Sequence, residues 1–171
     1  MKTMTVTLAL IVASIVTVPT GWAQQHDDKG HAELAKALKE SKVSLQRGLT
    51  ASTKEGKPIS AKYELDDGKL QLSVYTMKGD KFSEVIVDHK TGKVAKAEPI
   101  TQGDDLEHAK AQSEAMAKAK RPLDAAASAA VKENRGYRVV SIMPALKDGH
   151  PVADVMLVKG TEWKTVAEKL D

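Results

Sequence analysis

The middle of the chain is a run of alternating apolar and polar residues. Apolar side chains recur at every second position from Ile59 to Leu65, and the same period returns at Leu70–Val74 and Val85–Val87. A period of two is typical of half-buried strands in antiparallel sheets. The residues between these segments, around 66–68 and 78–80, are the Asp and Gly that tight hairpin turns require. The pattern therefore predicts an antiparallel β-meander.

Two helices are predicted before the meander. Apolar residues spaced three and four apart form one stripe that reaches Leu38, and Asp27 or Asp28 is expected to cap this helix. Ser44 is expected to be the N-cap of a second helix, which should end at Gly56. Glycine suits the left-handed conformation of the residue after a helix. The two helices together predict a helical hairpin or one kinked helix.

This pattern of helices and strands occurs twice, with an offset between the copies that grows slightly along the chain. The matched positions are Leu45 and Leu123, Asp67-Gly68 and Asp148-Gly149, Phe82 and Trp163, and Val85 and Val166. An ordered drift of this kind is typical of a duplicated module. The predicted fold class is α+β, with two similar modules that each pack helices on an antiparallel β-meander. Whether the modules share one continuous sheet stays open.

The second copy is shorter than the first. Asp104 or Asp105 is expected to cap its leading helix, and Pro122 to lie in the first turn of an Ala-rich helix over residues 123–131. Strands are expected at 138–143, 152–158 and 162–167. The chain contains no second counterpart of the 88–94 turn. The last strand is therefore expected to be a sheet edge.

The N-terminal segment is typical of a cleavable secretory signal. Lys2 precedes an uncharged run that ends at Pro19, and the small residues Gly21 and Ala23 lie at −3 and −1 of a cut before Gln24. A membrane anchor would need about 20 strongly apolar residues, whereas Thr, Ser and Pro interrupt this stretch. The expected organisation is a signal peptide at 1–23, a flexible segment at 24–30, a first module at 31–98, a linker at 99–104 and a second, truncated module at 105–171. The mature protein is expected in the periplasm or outside the cell, without a stable membrane anchor.

Composition excludes several classes of function. Removal of Lys2 with the signal leaves 25 Lys and Arg against 23 Asp and Glu, a formal charge of +2. Because these charges are interleaved, no dominant positive field is expected, and nucleic acid is not an expected partner. The chain has no cysteine, which excludes disulfides, Cys-ligated zinc and a thiol nucleophile.

The most specific motif lies at the end of the first copy. Val87-Asp88-His89-Lys90-Thr91-Gly92-Lys93-Val94, together with Ser44-Leu45 opening a helix and Asp67-Gly68 between two strands, resembles the PepSY domain family. The resemblance covers residues 43–97 well. Residues 121–170 match more weakly, because the Asp-x-x-Thr-Gly turn is missing there. Tandem PepSY-like repeats in a secreted bacterial protein are the resulting interpretation.

The resemblance implies a helix packed on an antiparallel sheet in a secreted or envelope protein. It also implies a role in binding or restraining peptidases, although partners vary among proteins that share a scaffold. No catalytic residues come with the family. The residues of the Asp88 turn are accordingly interpreted as structural.

Candidate chemistry is sparse. His26 and His31 flank a polar segment that could capture a metal ion weakly, but a true site needs three or four converging ligands. His89, His108 and His150 are expected on turns or at an exposed helix start. The paired carboxylates fit turns and caps, and no nucleophile elbow or phosphate-binding loop occurs. Catalytic, cofactor-binding and metal residues are therefore predicted to be none, and no cofactor is expected.

Partner binding is the remaining class. A basic patch of Lys110, Lys118, Lys120 and Arg121 is interpreted as a favourable helix end rather than a binding site. The sheet edges could add a strand from another chain. The exposed aromatic candidates are Tyr63, Tyr75, Tyr137 and Trp163, but for each residue taken singly, packing in the core is favoured over recognition. The leading hypothesis is a non-enzymatic protein that binds, and sterically inhibits, a peptidase or another envelope protein; the alternative is a periplasmic module for a small ligand or a metal. Its oligomeric state is open.

Overall fold

The structure, a computed structural model, describes the backbone of residues 21–171 and the side chains of residues 29–171. The elements in chain order are α1 (Gly21–Leu38), α2 (Leu45–Ala51), β1 (Lys57–Asp66), β2 (Lys69–Lys78), β3 (Lys81–Val87), β4 (Val94–Ile100), α3 (Gly103–Lys118), α4 (Leu123–Glu133), β5 (Arg138–Lys147), β6 (His150–Lys159) and β7 (Glu162–Lys169). A single 3₁₀ turn, Ser52–Lys54, follows α2. The body of the predicted signal peptide, residues 1–20, lies outside the described residues. Within residues 21–171, no helix is long and apolar enough to cross a membrane.

All seven strands form one antiparallel sheet in the order β4-β3-β2-β1-β5-β6-β7. The α+β class is therefore confirmed, and the two predicted meanders share one continuous sheet. They join where β1 pairs with β5, with Ala61 opposite Ile142. The period-two pattern predicted the strands because every second residue faces a buried side of the sheet.

The hairpin turns follow from residues that tolerate a positive φ angle. Asp67 and Gly68 have φ angles of 47° and 74°, and Asp148 and Gly149 have 51° and 80°. Two consecutive positive φ angles define a type I′ turn, whose twist matches that of the flanking strands. The predicted turns at both Asp-Gly pairs are confirmed.

Helices cover both faces of the sheet. Gly48 of α2 lies so close to Leu72 that an added Cβ would be 2.6 Å from Leu72 Cδ2, and α4 packs beside α2. Leu72 pairs with Tyr63 and Val87, so these three side chains share the α2 face. On the opposite face, Ser60 donates a hydrogen bond of 2.6 Å to Gln112 of α3.

The core is mainly aliphatic and continuous across the sheet. Its largest fully buried side chains are Leu45, Leu49, Ile59, Leu72, Ile142, Leu157, Leu170, Val74, Val85, Val87, Val139 and Val140. They come from both copies of the pattern, so one hydrophobic core joins the two halves.

Helix α2 begins where the sequence predicted but ends earlier. Ser44 is its N-cap, with Oγ accepting a hydrogen bond of 3.2 Å from the Arg47 amide. The prediction that the helix runs to a left-handed Gly56 is wrong, because α2 ends at Ala51 and Gly56 has no positive φ angle. Glycine is needed at 56 for a different reason, since a Cβ there would lie 2.8 Å from the Met77 carbonyl oxygen.

Other helix starts also differ from the sequence expectation. Helix α1 is already helical at Gly21, the first described residue, so Asp27 and Asp28 lie inside it, and it runs through the segment 24–30 that was expected to be flexible. Gln102 is the N-cap of α3, with Asp104 and Asp105 in its first turn. Carboxylates in a first turn complement the helix dipole without capping the backbone.

The connection between the halves is shorter than predicted. Residues 99–104 were expected to be a linker, but β4 continues to Ile100 and α3 begins at Gly103. Pro122 occupies the N-cap of α4 rather than its first turn. The predicted Ala-rich helix is otherwise confirmed.

Candidate functional site

The Asp88 turn joins β3 to β4 and is held by its own backbone. Asp88 Oδ1 accepts hydrogen bonds of 2.9 Å from the Lys90 amide and 2.6 Å from the Thr91 amide. These bonds, from Thr91 first, hold the pKa of Asp88 below its usual value of 3.8. Gly92 supplies the positive φ angle of 75° that closes the turn. The turn thus has the structural role that the motif implied.

The same turn organises the chain between α1 and α2. The His89 carbonyl oxygen accepts bonds of 2.9 Å and 3.1 Å from the amides of Lys42 and Val43, and a third of 3.1 Å from Ser41 Oγ. The Nδ1 atom of His89 is buried and has no hydrogen-bond partner among the described residues. His89 is therefore more buried than the sequence predicted.

The other histidines do not converge. His31 stacks on Trp163, with ring centroids 4.4 Å apart, while the side chain of His26 lies outside the described residues. His150 Nδ1 lies 2.9 Å from Asp171 Oδ2 on the surface, and His108 is exposed. In the part of the chain with described side chains, no three His, Asp or Glu residues are grouped to hold a metal ion.

Two of the four aromatic candidates are buried, as the favoured core interpretation expected. Tyr63 is only 2% exposed, and the Arg138 guanidinium lies 5.0 Å from the centre of its ring. Arg138 also donates to the carbonyl oxygens of Leu38 (2.7 Å) and Val43 (2.8 Å). Tyr63 is therefore part of the core, and Arg138 ties the end of α1 to the sheet.

Tyr75 is the second buried member of this set. Burial raises its pKa, and the nearby Lys62 ammonium only partly opposes the rise. Burial lowers the pKa of Lys62, but its hydrogen bond to Glu64 and its proximity to Tyr75 leave that pKa above the usual value. Both side chains line a small cleft with Asp105 and His108 of α3. Lys62 Nζ forms an ion pair of 2.7 Å with Glu64 Oε2.

Two of the four cations of the predicted basic patch, Lys110 and Arg121, are paired with carboxylates. Arg121 Nη1 lies 2.9 Å from Glu168 Oε2 of β7, and Lys110 lies 3.1 Å from Glu107. Arg121 also donates to the carbonyl oxygen of Ala125 in α4. These contacts support the structural interpretation of the patch.

The two edges of the sheet differ in how much backbone they expose. Two-residue turns close both outer hairpins, with Lys78 opposite Lys81 and Lys159 opposite Glu162. Hydrogen-bonded and non-bonded pairs alternate from such a turn. In β7 this alternation points the N–H and C=O groups of Trp163, Thr165 and Ala167 away from β6.

The same alternation leaves β4 a poorer edge. Its outward groups belong to Ala95, Ala97 and Pro99, and proline has no N–H to donate. Pairing with β3 is also irregular between Ile86 and Val87. Among the described residues, no strand pairs with the outer side of β7 or of β4. At the end of β7, the Lys169 carbonyl oxygen accepts a hydrogen bond of 3.3 Å from Arg121 Nη1. The β7 edge is therefore the more regular of the two.

Sequence reasoning predicted the β7 edge but missed Arg138. The signal was present in the repeat, because Arg138 is related to Lys57 by the same offset that relates Val166 to Val85. Lys57 Nζ donates a bond of 3.1 Å to the Met116 carbonyl oxygen at the end of α3. Two basic residues at matched strand starts could have been recognised as a pair.

Comparisons with known proteins assign no family. No family description matches the chain, and no curated protein matches it. A crystal structure of a "putative lipoprotein" from Clostridium difficile 630 is similar at 13% identity, with a TM-score of 0.41 over 69% of this chain and 78% of that one.

Proposed function

We propose that the chain consists of two PepSY-like modules that act as one non-enzymatic binding protein. The duplication is supported by matched irregularities. The pairing of β1 with β2 shifts register between Pro58 and Ser60, and that of β5 with β6 shifts between the equivalent positions of the second copy, Val139 and Ser141. Independent strands would have no reason to share a bulge at the same place.

The contact between the modules supports the same interpretation. Ala61 pairs with Ile142, its own counterpart in the second copy. Equivalent residues that face each other across an antiparallel pair define a local twofold axis. Across it, Lys57 of the first module reaches α3, which leads the second, and Arg138 of the second reaches α1, which leads the first.

The function that we propose is binding of a peptidase or another envelope protein at the sheet edge. One observation carries it: β3 is covered by β4, whereas among the described residues no strand covers the equivalent strand β7. An open edge of this kind can pair with a strand of another chain. Inhibition of a peptidase would be steric, because the bound chain would block access to the partner without any chemistry of its own.

The proposed location is the periplasm or the exterior of the cell. It is supported by the order of residues in the first 23 positions, which fits a secretory signal. A protein partner in the envelope would be met there after cleavage.

The test is capture followed by reconstitution. The protein, produced from its full sequence with an affinity tag, is incubated with native envelope extract with and without a chelator, and retained proteins are identified by mass spectrometry. We expect a peptidase or another envelope protein to be retained in both conditions. The purified partner should then form an equimolar complex, and a peptidase partner should lose activity in proportion to the protein added.

Two results would contradict the proposal. Retention of no protein at stoichiometric amounts would remove the binding function, and turnover of a peptidase substrate by the chain itself would remove the non-enzymatic assignment. Complex formation that disappears with the chelator would instead favour the metal-binding alternative.

A further inference from the structure

We propose that the β7 edge binds an extended segment of the protein partner, antiparallel to β7, in the position that β4 occupies on β3. This inference rests on the proposed function, because it specifies how that partner is held. The structure itself shows the arrangement once, in the first half of the sheet.

The register of the proposed bound strand on β7 follows from the way in which β4 pairs with β3. Their bonded pairs are Phe82 with Ile100, Glu84 with Glu98, and Ile86 with Lys96. The equivalents of these three β3 residues in the second copy are Trp163, Thr165 and Ala167, whose backbone groups point outward from β7. The open edge therefore presents the same row of donors and acceptors to which β4 is bound in the first half.

The side chains along this row define the chemistry of the bound segment. Ala97 of β4 faces Val85, and the equivalent Val166 of β7 is half-buried. A small apolar residue of the partner should therefore lie opposite Val166. Ile100 faces Phe82, so a larger apolar residue should lie opposite Trp163.

The exposed Thr165 admits a polar residue between these two positions. The expected ligand is thus a segment of about five residues in which small apolar and polar residues alternate, with an apolar residue toward Trp163.

The β4 edge is less suited than the β7 edge to pair with an added strand. The missing N–H of Pro99 removes one donor from its outer row, and the bulge near Ala95 interrupts the spacing of the others. Lys96 and Glu98 form an exposed ion pair of 2.7 Å on this strand. Charges and proline on an edge strand are features that oppose strand addition.

The test uses the β4 sequence as the probe. A synthetic peptide of residues 93–101 is titrated into the ¹⁵N-labelled protein, and amide chemical shifts and hydrogen exchange are followed. We expect saturable shifts at Trp163, Thr165 and Ala167, together with slower exchange of their amides. A nuclear Overhauser effect between the peptide and Val166 would establish the register.

Matched proline variants separate the two edges. In the protein, Thr165→Pro removes an outward N–H of β7 and should weaken peptide binding by about tenfold, whereas Ala97→Pro removes an outward N–H of β4 and should leave it unchanged. In the peptide, Glu98→Pro should weaken binding and Ala97→Pro should not, because only the Glu98 amide faces the bound strand. Ala167→Pro replaces Thr165→Pro if the latter does not fold.

Three results would overturn the inference: no saturable shifts, shifts confined to β4, or equal binding by Thr165→Pro. The captured partner distinguishes this failure from that of the proposed function. If the partner is still retained by Thr165→Pro, binding stands while the β7 edge is excluded as its site. If no partner is retained but the peptide binds at β7, the edge is competent and the proposed function fails.

Discussion

The two halves of the sheet anchor their second helix in the same way at the backbone but in different ways at the side chains. In the first half, the His89 carbonyl accepts from the amides of Lys42 and Val43; in the second, the Leu170 carbonyl accepts from those of Lys120 and Arg121, at 2.7 Å and 2.9 Å. The acceptor follows the third strand of its half in both cases. A pair of amides before the helix and one carbonyl after the strand therefore define the shared framework.

The halves diverge immediately beyond that carbonyl. The first continues into the Asp88 turn and β4, which cover β3. The second instead fixes the end of β7 with the Arg121 side chain, which pairs with Glu168. The comparison teaches that the third strand of the second half is held by its pairing with β6, by the shared carbonyl and by one ion pair, whereas the third strand of the first half is also paired with β4.

A second contrast lies at the two contacts across the local twofold axis. Arg138 donates to Leu38 and Val43 carbonyls and to Ser41 Oγ, whereas Lys57 donates only to the Met116 carbonyl. A guanidinium has five donors in a planar fork, while an ammonium is a point charge. The first leading helix is thus tied more firmly to the sheet than the second.

The largest predicted loss of stability comes from removing the Arg138 side chain, which makes the stronger of these two contacts. Arg138→Ala should lower the free energy of unfolding by about 3 kcal/mol, because it leaves several part-buried acceptors without a donor, and Lys57→Ala by about 1 kcal/mol. Urea denaturation followed by circular dichroism measures both. Arg138→Lys is the matched control and should recover part of the loss. Equal losses for Arg138→Ala and Lys57→Ala would show that the two contacts are equivalent.

The next effect tests the ion pair between Arg121 and Glu168 at the end of β7, which we call the Arg121 clamp. Arg121→Ala leaves the largely buried carboxylate of Glu168 without its partner and should cost about 2 kcal/mol of unfolding free energy. Glu168→Gln keeps the shape and a neutral acceptor, so its cost should be smaller. Faster amide exchange in β7 but not in β3 is expected for Arg121→Ala. Uniform exchange across the sheet would mean that the clamp stabilises the whole fold rather than its open edge.

Much of this comparison could be predicted from the sequence, and the limits are physical. The Asp-Gly turns and the Ser44 cap were predictable because each depends on residues adjacent in the chain. The pairing of β1 with β5 was not, because a period of two says which side of a strand is buried and nothing about which strand lies beside it. The prediction for Gly56 was wrong because glycine is required both where a helix ends in a left-handed residue and where a backbone approaches closely. At Gly56 the reason is the close approach to Met77, and the sequence does not distinguish the two cases.

The candidate site was predictable in part for the same reason. The position of β7 at the end of the strand order was predictable, because it followed from a local comparison of two sequence segments. The contact between Tyr63 and Arg138 did not follow, because the two residues are distant in sequence. Contacts between residues that are distant in sequence can be predicted only when the two halves are compared position by position.

A smaller effect distinguishes the halves by pH. The folded pKa of Asp88 is lowered, so its contribution to stability is present above the unfolded value near 3.8 and is lost as the pH falls through the folded pKa. Asp88→Asn should therefore lower the melting temperature at neutral pH, and the difference from the unmodified protein should vanish in acid. Asp80→Asn, at the exposed turn on the other end of β3, is the control and should show little change at either pH. A constant difference at all pH values would assign the loss to geometry instead of charge.

The smallest effect concerns the surface pair in the second half. The hydrogen bond from His150 lowers the pKa of Asp171, so His150→Ala should return that pKa toward its usual value of 3.8, as measured by NMR titration of the Asp171 carboxyl group. Because both side chains are exposed, added salt should reduce the shift in the unmodified protein. The melting temperature should hardly change, in contrast to Asp88→Asn, because an exposed ion pair orders no backbone whereas Asp88 binds two amides of its own turn. A fall in melting temperature as large as that of Asp88→Asn would mean that the His150–Asp171 pair helps to fix the end of β7. The second half would then hold its last strand at two points, this pair and the Arg121 clamp.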